Sequence, residues 1–132
     1  MMSQNLQFSV VEISLINKPI AMTENDIAKI VFESALKIHR EMGPGLLQSV
    51  YHEMLYHDLR QKDLFVEKNK TMSIKYKELK IDAAYRIDLL VAQKLIVDVK
   101  SVESLNELHV ASLRSHLKLS NCKLGMLINF NV

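Results

Sequence analysis

"RIDLLVAQKLIVDVK", residues 86–100, sets two aspartates and a lysine among apolar residues that read as two strands joined by a turn. Side chains alternate along a strand, so Asp98 and Lys100 share one face while Val97 and Val99 take the other. The placement of Asp88 depends on the turn. A two-residue turn at Gln93-Lys94 puts Asp88 across from Val99 and turns it away from Asp98. A three-residue connection, Ala92 to Lys94, puts Asp88 across from Asp98 and Arg86 across from Lys100, with directly opposed β-carbons roughly 4.5 to 5.5 Å apart. We prefer the second register because Leu89, Val91, Leu95, Val97 and Val99 then form one continuous apolar face. A one-residue slip would mix charge into that face. The opposite face carries both aspartates and Lys100, together with Leu90 and Ile96.

Two carboxylates so close repel each other, and a hard divalent cation is the simplest remedy. Magnesium or manganese takes oxygen ligands and is often held by one or two protein carboxylates plus water. Lys100 could then orient or deprotonate a water, or offset charge developing on a phosphate. The plainer alternative is a solvated strand face on which Arg86 and Lys100 neutralise the aspartates. Spacing alone favours that alternative.

Working outward, the 132 residues suit one domain, and the 48% apolar content supplies a core. The order expected is an amino-terminal arm or edge strand over 1–22, then a single α/β domain over 23–132. Thr23 and Asp26 form a capping arrangement for a helix whose stripe is Ile27, Ile30, Val31, Ala35, Ile38 and Met42. "GPG", residues 43–45, ends it. A second helix runs from about Leu46 to Lys62. "LFVEKN" and "TMSIKYK" read as two successive strands. Ser104 and Glu107 read as a capping box opening a third helix that extends to about Leu119, and "KLGMLINF" reads as a late strand. Strands in the middle with helices on either side predict a mixed central sheet covered by helices.

Seventeen basic against fifteen acidic residues leave a formal charge of +2, too little to announce a polyanion partner and no obstacle to one. One cysteine, Cys122, excludes an intrachain disulfide and fits a reducing compartment. No apolar run reaches membrane-spanning length and the first residues lack a signal-peptide layout, so a cytoplasmic protein with no membrane partner is expected.

"MGPGLLQSVYHEMLYHDLR", "YRIDLLVAQKLIVDVKSV", "LHVASLRSHLK" and "GMLINF" occur in this order, and together they resemble the GxxExxY protein family. That family is similar to a compact branch of the PD-(D/E)XK nuclease-like superfamily. The resemblance spans about residues 27–130. It implies a restriction-endonuclease-like core with a magnesium-dependent phosphodiester-cleaving site at an exposed sheet edge. By resemblance, Asp88 and Asp98 are metal ligands, the Val99 backbone carbonyl is a further ligand, and Lys100 assists the water and the phosphate. The pattern expects glutamate where this chain has Gln48, matches at Tyr51, and usually carries glutamine where this chain has Ser112.

Two expectations follow. The first is a divalent-metal-dependent hydrolase acting on DNA or RNA, with Asp88, Asp98, Lys100 and Gln48 in the catalytic site and Mg2+ or Mn2+ as cofactor. The alternative, motivated by Gln48 and Ser112, is a catalytically degenerate nuclease fold kept for binding nucleic acid or protein. Tyr51, His109, Ser112, Arg114 and Lys118 are candidates for substrate contact or support. For Tyr51 the ordinary role is packing, and for His109 packing or capping. Arg114 and Lys118, four apart on one helix, could meet a phosphate backbone, as could Lys68, Lys70, Lys75, Lys77 and Lys80. Lysines on strands also serve simply to prevent edge pairing. The amino-terminal arm is a candidate homodimer contact.

Overall fold

The computed structural model describes residues 6–13 and 22–132. The elements in order are β1 (Gln7–Glu12), α1 (Glu24–Met42), α2 (Gln48–Arg60), β2 (Val66–Tyr76), β3 (Leu79–Val91), β4 (Leu95–Lys100), α3 (Glu107–Ser120) and β5 (Leu124–Asn129). The five strands form one sheet in the order β1-β5-β4-β3-β2. β4 and β5 run parallel and the other neighbours antiparallel, which makes the sheet mixed, as expected. The described part of the amino-terminal segment is an edge strand in the chain's own sheet. Residues 1–5 and 14–21, where an arm would reach a partner, lie outside the described residues.

Local chemistry explains most boundaries. The Thr23 hydroxyl accepts from the Asp26 N–H and the Asp26 carboxylate accepts from the Thr23 N–H, so aspartate completes the capping box of α1. The helix ends where Gly43 turns to φ 69°, a region that favours glycine. Met42, expected in the core stripe, lies exposed on that last turn. The start of α3 corrects the Ser104–Glu107 reading. Asn106 is the cap, its side chain accepting from His109 N–H while the His109 ring accepts from Asn106 N–H. An asparagine amide caps as well as a serine hydroxyl, and this one stands immediately before the first helical residue.

A second correction concerns the middle strands. "LFVEKN" and "TMSIKYK" belong to one long strand, β2, and β3 begins already at Leu79, so the two form an extended hairpin. Helices cover both faces of the sheet. Ile27, Val31, Ala35 and Ile38 of α1 and Tyr51, Leu55 and Leu59 of α2 pack with Leu89, Val91, Leu95, Val97 and Val99, the continuous apolar face read from the sequence. Leu90 and Ile96, expected beside the charges, form a second core with Leu113 and Leu117 of α3. Gly125 permits this: a β-carbon there would sit 2.9 Å from Leu113 Cδ1.

Candidate functional site

The β3–β4 pairs are Val91 with Leu95, Leu90 with Ile96 and Leu89 with Val97, so the connection is the three-residue one, Ala92 to Lys94. Ala92 and Gln93 take φ of 53° and 56°, the left-handed conformation that closes this tight reversal. Continued, the register sets Asp88 across from Asp98. The paired ladder stops one step short of it, however. Ile87 packs in the α3-side core and Leu89 in the α1–α2 core, although residues two apart in a regular strand share a face. The alternation therefore breaks at Asp88. Asn69 on β2, at the matching break in the β2–β3 pairing, has φ 52°.

This break lets the Asp88 side chain replace a missing ladder bond. Its Oδ2 accepts from the Val99 backbone N–H at 2.9 Å, and its Oδ1 accepts from Arg86 Nη2 at 3.0 Å. The Arg86 guanidinium also donates to Asn69 Oδ1 at 3.1 Å. The Asp88 carbonyl is held by His52 Nε2 of α2 at 2.9 Å. Each carboxylate oxygen of Asp88 thus accepts from one donor of this chain.

Asp98 is in a different position. Two residues beyond Ile96, it alternates with Lys100 toward the α3 side of the sheet. Burial, then the neighbouring Asp88 charge, pushes its carboxyl up to about 6, against the opposing pull of Lys100 and Arg86. His116 on α3 is held below its ordinary value, mainly by burial and further by Lys100, while Asp88 pulls the other way. The His116 ring stacks on Tyr85 at 4.6 Å, and among the described residues neither its Nδ1 nor the Tyr85 hydroxyl has a hydrogen-bond partner.

A cleft of about 430 Å³ opens between α2 and the base of the β2–β3 hairpin. Gln48, Ser49, His52 and Glu53 line it from α2; Lys68, Asn69, Arg86, Asp88 and Val99 line it from the sheet. Asp88, Val99 and Gln48 thus meet there, whereas Asp98 and Lys100 do not line it. Gln48 lines the cleft with Asp88 but spends its Oε1 on the Ser101 N–H, at 3.2 Å. Lys68 is tied to both Glu53 oxygens, and that bond holds the Glu53 carboxyl below its usual range.

The remaining candidates divide by location. Tyr51 is fully buried, stacked on Phe130 at 4.6 Å, with its hydroxyl donating to the Gly43 carbonyl and accepting from the Leu46 N–H. It fixes the α1–α2 turn. His109 is occupied in capping α3, and Ser112 is exposed on that helix. Arg114 lines a separate groove with Gln7, Phe8 and Asn106, and Lys118 is exposed. The sequence reading missed His52, Glu53 and Asn69 as cleft residues. His52 and Gln48 are four apart on one helix face, a signal that was available. Asn69 was legible only as a residue type that tolerates a left-handed backbone inside a strand.

Magnesium favours several free oxygens in near-octahedral order. Here the Asp88 carboxylate already accepts from within the chain at both oxygens. Among the described residues no three His, Cys, Asp or Glu side chains converge. As arranged, an ion shared by Asp88 and Asp98 would have to displace Arg86 from Asp88.

A family model described as the PD-(D/E)XK nuclease superfamily matches residues 25–132. No curated protein and no solved structure matches the chain. The matched stretch takes in all three helices and every strand except β1, including the β3–β4 hairpin that carries Asp88, Asp98 and Lys100. On that coverage, the chain belongs to the PD-(D/E)XK nuclease superfamily.

Proposed function

We propose that this chain is a nucleic-acid-binding module on a nuclease frame, in which an internal ion pair stands where the superfamily would hold a metal. The observation that carries the reading is the double engagement of Asp88 by Arg86 and the Val99 N–H. The separation of Asp98 from the cleft and the amide at Gln48 add to it. Arg86 and Lys68 face the cleft mouth while paired to carboxylates, and their side chains are 54% and 37% exposed. The Lys68–Glu53 pair is exposed on both sides, and such pairs contribute roughly 0 to 1 kcal/mol, so a phosphate can take over Lys68 at little cost. Arg86 would meet a phosphate while keeping its buried partner Asp88, so a DNA or RNA backbone in the cleft would be held by these two cations without reading bases.

Within the superfamily, the motif order around Gly43, Tyr51, Asp88 and Gly125 supports placement near the GxxExxY group. The lone cysteine and the absence, among the described residues, of a helix long and apolar enough to cross a membrane accord with a cytoplasmic setting for the module.

The second reading is the metal-dependent hydrolase, favoured by one observation: Asp98 is buried beside a second carboxylate, and Lys100 and Arg86 offset that cost only in part. A cation bound by Asp98 and Asp88 would relieve that, once Arg86 released Asp88. One experiment separates the two. DNA and RNA, single- and double-stranded, are incubated with the protein and magnesium or manganese, and binding and cleavage are both followed. Binding without cleavage, unchanged by chelator and weakened by Arg86→Ala, supports the module. Metal-dependent cleavage abolished by Asp98→Ala establishes the hydrolase and removes the module reading.

A further inference from the structure

Beyond the cleft, the β2–β3 hairpin continues as a two-stranded ribbon that no helix among the described residues covers, and residues 75–83 are all exposed. It bends away where the pairing slips between Met72 and Ile74 and where Ala83 takes φ 50°. From that bend to the Lys77-Glu78 turn it reaches roughly 15 Å. Its pairs are Ile74 with Ile81, Lys75 with Lys80 and Tyr76 with Leu79. Opposed residues share a face, so Ile74, Tyr76, Leu79 and Ile81 form an apolar face and the two lysines form the other. Tyr76 is 61% exposed and Leu79 57% exposed, on a strand pair that has no core of its own.

A free two-stranded ribbon is marginal in water, and like charges placed directly opposite weaken it further. Asp82, 3.8 Å from Lys80, is the one carboxylate among the described residues within ion-pair distance of the Lys75–Lys80 pair, and Lys77 lies over the Tyr76 ring at 5.2 Å. A second copy of the chain on the apolar face would leave these lysines on the outer face, their repulsion unrelieved. A polyanion relieves the repulsion instead. The same two strands carry Lys68, Asn69 and Arg86 at the cleft, so a backbone seated there runs toward the ribbon.

We infer that the Ile74–Ile81 ribbon is a groove-inserting arm, and that the nucleic acid this chain takes is a duplex. This rests on the nucleic-acid-binding reading above. A major groove about 12 Å wide admits a two-stranded ribbon. Lys75, Lys77 and Lys80 contact phosphates at the groove walls, and Tyr76 and Leu79 lie against base edges and sugars. A single strand meets the cleft alone.

The test measures binding by fluorescence anisotropy over a salt series. The probes are a duplex of about twenty base pairs and each of its separate strands. The proteins are the unaltered chain, a K75Q/K77Q/K80Q variant, a Y76S/L79S variant and R86A. All the ribbon positions are exposed, and matching circular-dichroism melts verify folding. The unaltered chain is expected to prefer the duplex. The lysine variant is expected to lose at least about tenfold on the duplex, with its salt slope reduced by about 2 to 3, roughly 0.9 per phosphate contact. Its affinity for the single strands stays within about threefold, whereas R86A weakens binding to both forms. Equal loss on duplex and single strand, or no loss, overturns the arm while leaving the cleft reading intact. A concentration-dependent dimer that Y76S/L79S dissociates also overturns it, by assigning the apolar face to a second copy. No binding of any probe by the unaltered chain removes the module reading, and the arm with it.

Discussion

The surroundings of Asp88 and Asp98 form a natural comparison. Both residues are 6% exposed, and the hairpin register sets them opposite each other. At Asp88 the strand breaks its alternation, and the carboxylate gains an arginine and a backbone N–H. At Asp98 the strand stays regular, and the carboxylate gains burial and a like charge. Burial alone therefore does not decide what a buried acid does. What decides it is whether the backbone bends enough to bring donors to it.

The largest effect is expected from breaking the bonded side of this comparison. Asp88→Ala orphans the buried Val99 N–H, and losing a buried partner costs about 1 to 3 kcal/mol. Urea unfolding should show that loss, and amide exchange at Val99 should quicken. An Asp88→Ala protein as stable as the original would mean the carboxylate does not bridge the strands.

Next comes Asp98. Its carboxyl at about 6 lies above its ordinary 3.8, so the charged form is penalised in the fold. No penalty exists below the unfolded value. It grows as pH rises through the window from 3.8 to about 6 and is complete above that. Asp98→Asn should therefore stabilise the protein at neutral pH, by up to about 2 kcal/mol. Each tenfold change in proton affinity is worth about 1.4 kcal/mol, and a buried amide keeps a desolvation cost of its own. The gain should fade below pH about 4. Denaturant midpoints at several pH values test this, and a gain independent of pH would remove its electrostatic cause.

The smallest effect sharpens the link between the two acids. Arg86 pulls the Asp98 carboxyl downward across the strand pair. Arg86→Ala should raise the Asp98 titration midpoint further, as followed by the side-chain carbon resonance. Stability should fall by about 1 kcal/mol, because Arg86 is half-exposed and Asp88, though buried, keeps the Val99 N–H. A midpoint that stays put would show that Arg86 exerts no pull on Asp98.

The sheet was legible because its signals are periodic. Leu89, Val91, Leu95, Val97 and Val99 form a clean face only with Ala92 to Lys94 as the connection, and that connection occurs. The Thr23–Asp26 box was legible because capping is local chemistry. The α3 cap was misread because Ser104–Glu107 matches the usual letters while Asn106–His109 satisfies the geometry. The site was only half legible. Family resemblance named the acids and Gln48, but a half-period twist at Asp88 leaves no mark in composition or spacing. The carboxylates' different surroundings, and the use of Gln48 on Ser101, follow from that twist and from the fit of α2 against it.

The α1–α2 elbow has a consequence of its own. Tyr51 clasps Gly43 and Leu46, while Ser101 donates its hydroxyl to the Leu46 carbonyl and its N–H to Gln48. Ser101 directly follows Lys100. The elbow and the end of β4 are therefore riveted together, and a change at Gly43 or Tyr51 would be felt at the lysine without touching either aspartate. Whatever Lys100 does, its placement is a lever worked from the far side of the sheet.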